Sequence, residues 1–156
     1  MVVTTSPTQS EPKPSAEPLL DKLVEDLESL NLPEQDFGHR QHVQAAWMML
    51  ELDGLVPTLE RFPRAIRRFA EHHGASGLYH ETITWYFLLL VNERREQLPA
   101  GHAWQDFEDE CPDLLTGARR KLLSVYSESR LDSDLARRVF LLPDRAATDR
   151  REGAMR

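Results

Sequence analysis

The sequence predicts an all-α protein, a compact helical bundle of about five to seven helices with a central apolar helix. Two observations carry this reading. Apolar residues recur at helical spacing in nearly every segment away from the chain ends. No segment alternates apolar and polar residues between hairpin turns, as a half-buried strand would.

Taken in order, Leu20, Leu23, Val24, Leu27 and Leu30 form an i, i+3, i+4, i+7 stripe, with Pro18 tolerated in a first turn. A second helix is expected over about Phe37 to Leu52, with Val43, Ala46/Trp47 and Leu50 as its seam and Asp53-Gly54 as its stop. The third, about Pro57 to His73, carries Leu59, Phe62, Ile66 and Phe69 on one face and ends at Gly74. Pro63 falls inside it, where a proline removes a backbone bond, so the helix is expected to kink or to start there. The fourth, about Leu78 to Gln97, is apolar all round from Ile83 to Val91, which predicts the most buried element. After Pro99-Ala100-Gly101 three shorter helices are expected. Trp104 and Phe107 mark the first, and Leu115, Ala118, Leu122 and Val125 stripe the second, which Pro112 opens. Leu135 and Val139 mark the third, with Asp132 or Ser133 as N-cap.

Residues 1–16 are rich in Pro, Ser and Thr and have little to bury, which predicts a disordered tail, with a second over residues 145–156. Residues 17–144 then form a single helical domain. The chain's one cysteine, Cys111, has no partner for an internal disulfide, which suits a reducing compartment. With no secretory signal and no membrane-length apolar run in the sequence, a cytoplasmic location and no membrane contact are expected. The net charge of −7 is concentrated in residues 1–36, and the basic residues are scattered in short groups, so no nucleic-acid partner is expected. The acidic N-terminal helix is instead a candidate surface for a protein partner.

The histidines are the sharpest functional signal. Short connections make successive helices antiparallel, so the starts of the second and fourth helices share one bundle end with the finish of the third. His39, His42, His72, His73, His80 and Glu81 all fall at that end. His39 extends the inward seam of its helix, His42 lies about 60° further round, and His73 extends the seam of the third helix, whereas His72 points aside. Imidazole suits Fe, Zn, Cu and Ni, so His39, His42, His80 and His73 are expected to ligate a divalent transition metal. Glu81 is the expected general base or further ligand, and Tyr79 the supporting catalytic residue. His102, after a Pro-Ala-Gly loop, reads as a loop or cap residue.

The segments F-G-H-R-Q-H-V-Q-A-A-W-M-M-L, R-F-A-E-H-H-G, Y-H-E-T-I-T and L-D-S-D-L-A-R-R-V-F-L-L-P-D resemble an uncharacterised family of small bacterial all-helical proteins, over roughly residues 37–144. The resemblance implies a helical domain whose recurring polar residues correspond to His39, His42, His73, His80, Glu81 and Arg137. It implies no activity. Pro63 departs from the family pattern.

The expected function is therefore a small metal-dependent enzyme, using oxygen chemistry or an activated water on a small-molecule substrate. The alternative is a helical interaction or regulatory module with structural histidines. No nucleophile elbow, phosphate loop, dinucleotide fingerprint or H-E-x-x-H motif is present in the sequence.

Overall fold

A computed structural model describes residues 17–146; the expected tails at 1–16 and 147–156 lie outside the described residues. Within them the chain is all helix, with no strand. The elements are α1 (Glu17–Ser29), α2 (His39–Asp53), α3 (Leu55–His72), α4 (Glu81–Gln97), α5 (Trp104–Glu110), α6 (Pro112–Leu115), α7 (Ala118–Leu123), α8 (Glu128–Leu131) and α9 (Asp134–Arg138). Single 3₁₀ turns at Glu34–Asp36 and Ser76–Leu78 join α1 to α2 and α3 to α4.

The helix count exceeds the expectation because the C-terminal third breaks into five short helices rather than three. Gly117 has a φ of 69°, and the Ser127 and Ser133 hydroxyls each restart a helix by accepting a backbone N–H three residues on. On α9 it is Ala136 that is buried, while Leu135 and Val139, taken from spacing as its seam, are exposed. Five residues of helix are too few for periodicity to identify the inner face.

The centre of the bundle is α2, not α4. Val43 and the unbroken run Ala45 to Leu50 are buried, because α2 packs against α1, α3, α4 and α6. On α4 only Thr82, Phe87, Leu88 and Val91 are buried, and Trp85, Tyr86, Leu89 and Leu90 remain half-buried. Its apolar girth is covered on one side by small helices that cannot enclose it.

Pro63 does not begin α3. That helix starts at Leu55, after Gly54 at a φ of 76°, and carries the buried Pro63 in its interior. The fold tolerates the missing N–H there. At the other end Gly74, with a φ of 70°, closes α3 as expected.

The α1 stripe of Leu20, Val24 and Leu27 is buried against α2 and α3, and Glu28 on α1 binds Arg61 on α3. The apolar face of the acidic helix is therefore spent inside the domain. Arg145, placed in the C-terminal tail by composition, donates from its backbone N–H to the Val125 carbonyl at 2.9 Å and from its side chain to the Leu123 carbonyl at 2.7 Å. The ordered domain thus extends past residue 144. No helix among the described residues is long and apolar enough to cross a membrane.

Candidate functional site

A cleft of about 340 Å³ opens between the first half of α2, the middle of α3 and the first half of α4. The helix geometry explains the space. Ala46 is the small residue of the α2 seam, and it faces walls made by Ile66 of α3 and by Ile83 and Phe87 of α4. Most of the lining is aliphatic or aromatic, and His39, His42 and His80 all border it. These three therefore border one cleft, without forming a metal-binding cluster among the described residues.

Their ring nitrogens are used very differently. His80 is not in the first turn of α4 but is its N-cap, with extended backbone at φ −138° and ψ 108°. Its Nδ1 accepts the Ile83 N–H at 3.2 Å, which leaves the proton on Nε2, donated to the Leu131 carbonyl at 2.8 Å. Both nitrogens are thereby occupied, so the expected ligand is a structural residue that ties α4 to α8. Burial lowers the basicity of this imidazole.

His39 and His42 each keep one nitrogen without a hydrogen-bond partner among the described residues. His39 donates Nε2–H to the Leu114 carbonyl at 2.8 Å and lies edge-on to Phe87, with ring centroids 4.8 Å apart. His42 donates Nδ1–H to the Gly38 carbonyl at 2.7 Å and stacks on Phe37 at 4.1 Å. The unprotonated atoms are then His39 Nδ1 and His42 Nε2. Burial, with a further contribution from neighbouring His39, lowers the His42 pKa to about 4. His42 is neutral at physiological pH.

This has a consequence for acid stability. An unfolded His42 titrates near 6.5 and the folded one near 4, so between those values the unfolded chain holds the extra proton. Unfolding free energy should fall as pH drops from about 6.5 to about 4, by at most about 3 kcal/mol from this ring, less the solvent screening of a half-buried group. Denaturant titrations of wild type and His42→Leu across that range check this. The variant should show a visibly shallower decline, and identical slopes would contradict it.

His73 lies elsewhere. It is half-buried, bonds the Leu32 carbonyl at 3.2 Å, and borders a smaller cavity of about 180 Å³ that shares His42 with the main cleft. His72 is exposed, as expected. Among the described residues no group of three or more His, Cys, Asp or Glu side chains is arranged to hold a metal ion. The four-histidine ligand set does not fit this geometry, because His80 has no free nitrogen and His73 belongs to another cavity.

Glu81 and Tyr79, expected as catalytic residues, are bound to each other. Glu81 accepts from Arg67 at 2.8 Å, from Tyr79 at 2.8 Å and from the Trp85 indole at 2.7 Å. Burial and then the Glu81 bond raise the Tyr79 pKa far above its ordinary value. The expected base thus stands inside a network of three donors, with the Tyr79 hydroxyl as one of them. Thr84 likewise spends its hydroxyl proton on the His80 carbonyl at 2.8 Å.

The cleft walls Ile83, Phe87 and Ala46 were not singled out as site residues by sequence. The available signal was the small Ala46 within an otherwise bulky seam. His102 was also undervalued, since its Nε2 accepts the buried Trp47 indole N–H at 3.1 Å. Comparison of the chain with protein-family models, with curated proteins and with solved structures found no match.

Proposed function

We propose that this chain binds a compact, largely apolar molecule carrying one hydrogen-bond donor, in the cleft between α2, α3 and α4. The observation that supports this is the pair of free acceptor nitrogens, His39 Nδ1 and His42 Nε2, on residues bordering an otherwise mostly apolar cleft. Small-molecule sites have this composition: apolar walls and a few fixed polar groups. A volume of about 340 Å³, at ~30 Å³ per water-sized group, has room for a substituted benzene. The lowered basicity of His42 supports a binding role. With a pKa of about 4 the ring is a good hydrogen-bond acceptor but a weak base at neutral pH, which favours binding over proton abstraction.

The test uses 4-butylphenol against butylbenzene, which lacks the donor. The phenol should bind about 10-fold tighter, the worth of one buried hydrogen bond. His42→Leu should erase that preference. Ala46→Phe should abolish binding of both by filling the cleft. Equal binding of the two compounds, or binding unaffected by Ala46→Phe, would overturn the reading.

A second reading, a metal-dependent enzyme acting on a small molecule, keeps support from one observation. His39 and His42 stand three residues apart on α2, each with a free nitrogen. A divalent transition metal (Fe, Zn, Cu or Ni) held by these two would leave open positions for water or substrate. Elemental analysis of untagged protein after reconstitution separates the readings. Micromolar metal binding lost in His39→Ala and in His42→Ala would favour the second.

A further inference from the structure

On the outer side of Tyr79 a shallow groove of about 380 Å³ is lined by Arg67, Ser76, Gly77, Tyr79, Arg137 and Arg138. Three arginines line it, and of these Arg67 is paired with the Glu81 carboxylate. Arg67 also lies over the Tyr79 ring, 4.8 Å from its centroid. Arg137 donates to the neutral Gly77 carbonyl at 3.1 Å, and neither Arg137 nor Arg138 has an acidic partner among the described residues. In a chain of net charge −7, Arg137 and Arg138 thus stand out as cations without an ion pair among the described residues. Planar guanidinium forks that are free of carboxylates are ready donors to an oxyanion.

Tyr79 is the wall common to this groove and to the apolar cleft. Groove and cleft thus share one side chain, which places the arginine-lined surface next to the cleft. We propose that the ligand is an amphipathic anion: an apolar body in the cleft and a carboxylate or phosphate head group held by Arg137 and Arg138, with Arg67 beside them. This rests on the cleft reading given above and specifies its ligand class.

The probe is 4-(4-hydroxyphenyl)butyrate, which matches 4-butylphenol except for the carboxylate at the end of the chain. Isothermal titration of the full chain at low ionic strength should show the acid binding about 10-fold tighter or more than the neutral phenol, as charge-assisted hydrogen bonds to a head group would give. The advantage should shrink towards parity at ~500 mM salt, where the screening length is only a few ångströms. Arg137→Gln combined with Arg138→Gln should reduce the ratio to about one while leaving 4-butylphenol affinity unchanged. Arg119→Gln, at a residue that does not line the groove and is paired with Glu128 and Asp132, should leave the ratio intact and so controls for general charge. Circular dichroism of each variant confirms folding. If the phenol binds and the acid binds no better, the head-group assignment falls and the cleft reading stands. An advantage that survives the double variant removes the role of these arginines, and failure of both compounds to bind overturns both readings.

Discussion

Trp47→Ala is expected to lower the unfolding free energy by about 3–5 kcal/mol, the range for deleting a large buried aromatic side chain. Trp47 is 1% exposed on the central helix. Its ring meets Trp104 of α5 edge-on at 5.7 Å, and its indole donates to His102. It therefore ties the α4–α5 loop and α5 to α2, and truncation leaves both a cavity and a His102 acceptor without its donor. For a chain of this size the midpoint of thermal unfolding should fall by roughly 10–15 °C. Trp47→Phe keeps most of the apolar contact and loses the hydrogen bond, so it should cost far less. A loss below about 1 kcal/mol for the alanine variant would mean that this contact is not made.

His80→Ala should also act on stability, by about 2–4 kcal/mol. The change removes the N-cap of α4, worth about 1 kcal/mol, and deprives the Leu131 carbonyl of its buried donor, worth about 1–3 kcal/mol. His80→Asn should recover part of the loss, because asparagine caps the helix with its side-chain oxygen. The pair of variants separates two roles for this residue. A structural cap predicts destabilisation with partial rescue by asparagine. A ligand role predicts a well-folded His80→Ala protein, which chemical denaturation detects directly.

The helical class and the limits of the longer helices were legible because they depend on local signals. Periodic apolar residues marked α1 to α4, and Gly54 and Gly74 marked two boundaries through positive φ. The convergence of His39, His42 and His80 on one cleft followed from short loops and antiparallel neighbours. What each nitrogen does was not legible. His80 was read as helical because histidine is not among the usual N-cap residues, and its second partner, Leu131, lies 51 positions away. The identity of the central helix was equally hidden. Residues 83–91 are apolar enough for a core helix, but enclosure depends on how much structure packs around them, and α9 is only five residues long. Glu81 looked like a free base because its donor Arg67 becomes a neighbour only once α3 and α4 pack, and the Trp85 indole, one turn on along α4, was not weighed as a donor.

The most direct test of the cleft as a ligand site is the nitrogen spectrum of the imidazoles during titration with 4-butylphenol at neutral pH. His42 Nε2 is the unprotonated nitrogen on a ring that borders the cleft, and a phenol donating to it should move that resonance saturably. His72, exposed, and His102, already bonded through both nitrogens, should stay fixed. A saturable shift at His42 with unchanged His72 and His102 is the predicted result. No shift at either His39 or His42 while the phenol is bound would contradict the account.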